Sequence, residues 1–184
     1  MANLTLKNVA KVCATAQLKA PGAIDEIYWA PICDFTSIAD LDGAVTDIDA
    51  YGLITTAHTF TGTKGFVKID DIQENTAKFN FADQGGKGFG NWKVTGEAMG
   101  RTFNPKLIGL LNQAKFQPGI ALVKLMNGQV MQIGSEKFPA YLTGDFDSNT
   151  NQSTEAFGVK LKVEADQTWI LRYNYPTLAI TIIT

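Results

Sequence analysis

Strict alternation of apolar and polar residues marks the clearest segments of the chain. In residues 156–165, Phe157, Val159, Leu161 and Val163 share one side while Lys160, Lys162 and Glu164 share the other. Side chains of a strand point alternately to its two faces, so this period of two predicts a half-buried antiparallel strand. Residues 89–98 repeat the pattern, with Trp92, Val94 and Ala98 opposite Lys93, Thr95 and Glu97. The runs Ile120–Met126 and Gln129–Ile133 flank Asn127-Gly128, which predicts a hairpin closed by a two-residue type I′ turn. Further strands are expected near 26–33, 65–70, 76–82, 138–143, 168–174 and 178–183.

One segment has the helical period instead. Over residues 104–115, Asn104 is placed to cap the N-terminus and Pro105 suits the first helical position. Leu107, Ile108, Leu111 and Ala114 form its apolar face, and Pro118-Gly119 ends it. Many strands interrupted by one helix predict a mainly β protein, an antiparallel β-sandwich or β-barrel with one flanking α-helix, and argue against alternating βαβ units.

Composition narrows the class. The 184 residues are expected to form one domain. Hydrophobic residues make up 45% and charged residues 18%, far from the balance that keeps chains disordered. The net charge of -2 gives no footprint of a protein that grips phosphates. Met1 to Lys11 lacks the pattern of a secretory signal and no long apolar run follows, so a soluble protein made in the cytoplasm, without membrane partners, is expected. Cys13 and Cys33 are too few for a disulfide framework and read as small buried hydrophobes.

Charge is unevenly distributed. Residues 20–63 hold Asp25, Glu26, Asp34, Asp40, Asp42, Asp47 and Asp49 with no Lys or Arg, whereas residues 64–137 carry a basic excess. Such asymmetry suits head-to-tail contact between identical subunits, which makes Asp40, Asp42, Asp47 and Asp49 the candidate inter-subunit or lumen-facing residues. The alternative is a solvated acidic loop.

Candidate chemistry is sparse. The single histidine, His58, lies among threonines and reads as a surface residue, and no Gly-x-Ser-x-Gly elbow accompanies it. Gly85-Gly86-Lys87-Gly88-Phe89-Gly90 lacks the Gly-Lys-Ser/Thr ending of a phosphate-binding loop and reads as a turn. The run from Asp40 to Asp47 does not keep the spacing of a calcium loop. Asp145 and Asp147 carry no feature that marks a glycosidase pair. No catalytic, cofactor-binding or metal-binding residue is assigned, and a non-enzymatic protein is expected.

The blocks Trp92-Lys-Val-Thr-Gly-Glu-Ala98, Ala121-Leu-Val-Lys-Leu-Met-Asn-Gly128, Ile133-Gly134, Phe138-Pro-Ala-Tyr141 and Gly158-Val-Lys-Leu-Lys-Val163 together resemble the major tail-tube and related virion proteins of bacteriophages. An early Glu26-Ile-Tyr-Trp-Ala-Pro31 segment is similar too. The resemblance spans about half the chain. It implies a β-sandwich whose hairpins join those of neighbours, hexameric rings stacked into a hollow tube, other virion proteins as partners, and transient passage of DNA. It places the protein in the virion. The long first sixty residues and the apolar C-terminal stretch depart from a simple tube subunit. A capsid decoration protein, a head-tail connector and the inner tube of a phage-derived injection machine are alternatives in the same class. From another class, a ligand- or carbohydrate-binding β-sandwich would use Trp29, Trp92 or Trp169 to stack on sugars.

Overall fold

The structure, a computed structural model, describes residues 24–41, 48–73, 76–85, 90–100, 104–146, 158–177 and 179–183. The strands are β1 (Ile24–Pro31), β2 (Phe35–Ser37), β3 (Leu53–Ile54), β4 (Thr59–Phe60), β5 (Val67–Ile69), β6 (Lys78–Gln84) and β7 (Asn91–Gly100). After helix α1 (Pro105–Ala114) come β8 (Gly119–Leu125), β9 (Val130–Ile133), β10 (Tyr141–Phe146), β11 (Val159–Gln167) and β12 (Leu171–Tyr173). They form a six-stranded sheet in the order β3-β12-β9-β8-β1-β5, a four-stranded sheet in the order β10-β11-β7-β6, and the pair β2-β4. Pairing is antiparallel except between β12 and β3. The expected mainly β sandwich with one flanking helix is what the chain forms.

The two sheets pack face to face around one core. From the four-stranded sheet come Val94, Ala98, Leu161 and Val163, and from the six-stranded sheet Ile27, Trp29, Ala121, Val123 and Ile133. The alternation in β7 and β11 exists because that sheet buries one face and wets the other. In β1 and β8 alternation gives way to nearly continuous burial. Tyr28, Ala30, Ile120 and Leu122 point away from the sandwich into a second core, closed by Ile54, Phe66 and Tyr173 with Phe35 and Phe60 of the β2-β4 pair. The six-stranded sheet is therefore covered on both faces, and the apolar run Ile120–Val123 is its signature.

Helix α1 starts as expected, with the Asn104 side chain accepting a hydrogen bond from the Lys106 N–H at 2.9 Å and Pro105 in the first turn. Its buried face is Leu107, Leu110 and Ala114, so of the face read from the sequence Leu107 and Ala114 are buried, while Leu110 takes the place of Ile108 and Leu111. The helix packs against β10, where Leu111 lies beside Gly144 and is only half-buried against the core. Ten residues is far short of a membrane span, and no helix among the described residues is long and apolar enough to cross one.

Three other expectations are corrected. The β8-β9 hairpin closes through the three residues Met126-Asn127-Gly128, not a two-residue turn. The Gly128 N–H donates to the Leu125 carbonyl at 2.9 Å, and the Leu125 N–H to the Gln129 carbonyl at 2.7 Å. Only Gly128 has to adopt a left-handed conformation in this arrangement, at φ +86°, and the Asn127 side chain accepts from the Gln129 N–H. The C-terminal stretch makes a single bridge, Ile182 with Phe66, in place of a strand. Its apolar residues divide between the cores, Ile183 joining the sandwich and Ile180 the second core, so they do not alternate across one sheet. Cys33 is exposed, in the one-turn 3-10 helix Ile32–Asp34, and Cys13 lies outside the described residues.

Leu110→Ala is expected to lower stability by about 2 to 5 kcal/mol, as truncation of a buried leucine does, and Leu111→Ala by less. Urea denaturation would measure both. A Leu110→Ala loss within the surface range of about 0.5 kcal/mol would contradict this packing.

Candidate assembly surface

Among the described residues, no further strand pairs with either edge strand of the four-stranded sheet, β6 or β10. β6 pairs with β7 in unbroken register from Lys78 opposite Glu97 to Gln84 opposite Asn91. It contains neither a proline nor a bulge, and six of its seven residues are exposed. No strand among the described residues pairs with its outer side. β10, at the far edge, has five of six residues exposed. Edges of this kind present unpaired N–H and C=O groups and recruit further strands unless they are blunted. The six-stranded sheet is different. Its β3 edge is only two residues long, and the β5 side is bridged by the C-terminal stretch at Phe66 and Ile182.

Aromatic surface accompanies these edges. Phe81 of β6 is 46% exposed and meets the half-buried Trp92 edge to face at 5.7 Å. On β10, Tyr141 and Phe146 are also exposed. The solvated face of the same sheet is charged but balanced, with Lys78, Lys93, Lys160 and Lys162 set among Glu97, Asp145, Glu164 and Asp166. Lys78 pairs with Glu97 at 2.8 Å, and Lys162 and Lys93 pair with Glu164 at 2.7 and 3.4 Å. The Lys162 hydrogen bond holds the Glu164 carboxyl below its ordinary pKa.

The acidic candidates are not brought together among the described residues. Asp40 is exposed, with its carboxylate accepting from the Leu41 N–H at 2.8 Å. Asp42 and Asp47 lie outside the described residues, and Asp49 is described only by its backbone, in the 3-10 turn Ile48–Ala50. The other acidic residues of the segment are neutralised inside the fold. Asp34 is buried and pairs with Lys64 at 3.3 Å. Glu26 bridges Lys68 at 2.7 Å and Lys124 at 3.0 Å, and accepts from the Tyr28 hydroxyl at 2.6 Å. Burial alone would raise the Glu26 pKa, but these hydrogen bonds bring it down to about 2. Burial and the Glu26 carboxylate together push the Tyr28 hydroxyl well above its ordinary value.

His58 is buried, not on the surface. Its ring stacks on Tyr173 at 5.3 Å and meets Phe35 and Phe66 edge to face. The Ala39 N–H donates to Nδ1 at 3.0 Å, so the ring proton sits on Nε2, which donates to Gln132 Oε1 at 2.9 Å. Gln132 Nε2 donates to the Gly134 carbonyl, the Gly134 N–H donates to Gln167 Oε1, and Gln167 Nε2 donates to the Trp169 carbonyl. Sequence reading missed this chain because Gln132 is 74 residues from His58 and no local pattern links them. Neither ring nitrogen is left to act as a base. Among the described residues no three His, Cys, Asp or Glu side chains converge as metal ligands would. Trp29, a candidate sugar-stacking residue, is wholly buried.

Comparison with protein-family profiles, with curated proteins and with solved structures finds no match to this chain.

Burial pushes the His58 pKa down to about 4 from 6.5, against the opposing effect of the Gln132 hydrogen bond. Between those values the unfolded chain binds the proton that the folded chain refuses, so stability falls as pH falls. The full loss is about 3 kcal/mol below pH 4. His58→Ala is expected to lower stability at pH 7 by roughly 3 kcal/mol, through a cavity and two orphaned hydrogen-bonding groups. It should also flatten the pH dependence above about pH 5.5, where Glu26 of the unfolded chain, at its ordinary 4.5, is still largely ionised. Urea midpoints across this range check both effects, and an unchanged profile would contradict the buried neutral ring.

Proposed function

We propose that this protein is a structural subunit that assembles with copies of itself, and that it is the tail-tube protein of a bacteriophage, built into stacked hexameric rings. The observation that carries the reading is that, among the described residues, no strand pairs with the outer side of β6 or β10 in the four-stranded sheet. β6 and β10 are different strands on opposite sides of one subunit, so pairing β6 of one copy with β10 of the next makes a heterologous contact. Repetition of such a contact closes a ring when the rotation allows it. Six copies contributing four strands each would make a barrel of 24 strands, well above the size at which a barrel leaves an aqueous channel. Phe81 and Phe146 would be covered by that junction.

The solvated face of the sheet would then line the channel. A conduit for DNA must not hold phosphates, because each Lys or Arg contact to the backbone adds affinity. The interleaved carboxylates of Glu97, Asp145, Glu164 and Asp166 suit that requirement. In this assembly the segment around Asp40, Asp42, Asp47 and Asp49 serves either as a docking surface or as part of the lumen.

The test is particle shape. Purified protein viewed by negative-stain microscopy is expected to show rings or tubes, and Phe81→Lys, which adds a charge to the edge strand, is expected to leave folded monomers that still unfold cooperatively. Wild-type protein that stays monomeric, or a Phe81→Lys protein that assembles normally, would count against the edge-pairing subunit. Replacing the four aspartates by Asn separates their two roles: failed assembly would mark docking, and intact tubes with slowed DNA passage would mark the lumen.

A further inference from the structure

A cleft of about 350 Å3 lies between the turns that lead into β3 and β12 and the segment joining β9 to β10. Its walls include the aromatic rings of Tyr51, Phe138 and Trp169 and the polar side chains of Asp40, Lys137 and Thr168. We propose that this cleft is a binding site for a neutral saccharide, with Trp169 as the ring on which a sugar stacks.

The first ground is that the aromatic corner is exposed yet rigidly mounted. Trp169 is 43% and Tyr51 56% exposed, and their rings stand at 84° to each other with centroids 5.2 Å apart. Gln167 fixes the Trp169 turn, since its amide donates to the Trp169 carbonyl at 2.6 Å while its oxygen accepts from the Gly134 N–H at 2.7 Å. On the other side, the Arg172 N–H donates to the Gly52 carbonyl at 2.7 Å. Gly52 has φ +85°, and a Cβ there would lie 2.6 Å from the Ile170 carbonyl oxygen. Only glycine permits this contact, which holds the Tyr51 turn against the Trp169 turn. A ring pair left in water on a fixed backbone is preorganised for a ligand.

The second ground is the chemistry of the walls. Sugars present C–H groups on their ring faces and hydroxyls around their rims, so they need an aromatic platform ringed by hydrogen-bonding groups. Asp40 is oriented by its own bond to the Leu41 N–H, and Lys137 and Thr168 supply donors. One carboxylate and one ammonium balance, which favours a neutral ligand over an anion or a cation. A contact with another protein would use a flatter surface, whereas this one is a cleft with aromatic and polar groups together in its walls.

The full chain, assembled or not, is titrated with maltotetraose, cellotetraose, N-acetylglucosamine tetramer and a galactose disaccharide, following tryptophan fluorescence and the Trp169 indole N–H signal. At least one probe is expected to bind saturably with Kd of about 1 mM or tighter, and Trp169→Ala or Tyr51→Ala to weaken it by about tenfold or more. Trp169→Phe, which keeps an aromatic platform, is expected to retain most of the binding, and the melting temperature of each variant reports folding. Absence of binding by every probe would overturn the proposal, as would binding that survives Trp169→Ala. Loss of self-assembly in Trp169→Ala with sugar binding unaffected would identify the cleft as a contact between copies instead.

Discussion

Coverage of β1 and β8 on both faces is the constraint from which the remaining structure follows. Because their side chains alternate, Ile27, Trp29, Ala121 and Val123 require one cover, and Tyr28, Ala30, Ile120 and Leu122 require another. A sheet and a helix supply the first, with backbone groups satisfied by their own ladders. Short strands and turns supply the second, and turns bring buried N–H and C=O groups that have no ladder partner. The Ala39 N–H and both polar groups of Gly134 are in that position, and the side chains of His58, Gln132 and Gln167 complete them. The buried histidine is thus a consequence of covering a sheet with turns. Its low pKa follows from the apolar rings that surround it.

Two opposite rules govern the sheet edges in this fold. The six-stranded sheet shortens one edge to the two residues of β3 and sets the C-terminal stretch beside the other. Among the described residues, no strand pairs with the outer sides of β6 and β10 in the four-stranded sheet, and both strands carry exposed aromatic rings. A protein able to blunt edges in one sheet and not doing so in the other presents the latter edges as a feature with a use. That contrast supports the proposed assembly more than the composition does.

How far the sequence could be read depended on whether the cause of each feature was local. β7 and β11 were legible because one wet face imposes a period of two, and α1 because Asn104 and Pro105 announce its start. The helix face was misjudged by one position, since which of Leu110 and Leu111 is buried depends on how the helix packs against β10. β2, β3 and β4 are two or three residues long, too short to carry a period, and β5 (Val67–Ile69) and β12 (Leu171–Tyr173) were legible only as parts of longer runs. His58 was misread because its threonine neighbours suggest a polar loop while its partners come from β9, β12 and the Ala39 backbone. The acidic segment was legible as charge but not as structure: Asp25, Glu26 and Asp34 find lysines that lie far along the chain.

The charged face of the four-stranded sheet bears on the remaining question of why its ion pairs are there. Exposed pairs such as Lys78 with Glu97 contribute little to folding, with a median of about 0 to 1 kcal/mol, because water screens the attraction and the side chains lose freedom. Stability alone therefore gives weak grounds for so regular an arrangement. In the proposed assembly its larger effect would be on what the face presents to a passing polyanion. A lysine held at 2.7 to 3.4 Å from a carboxylate exchanges its partner for a phosphate with far less gain than a free lysine would. A surface of that kind stays hydrated and close to neutral, so a nucleic acid can move along it without being held.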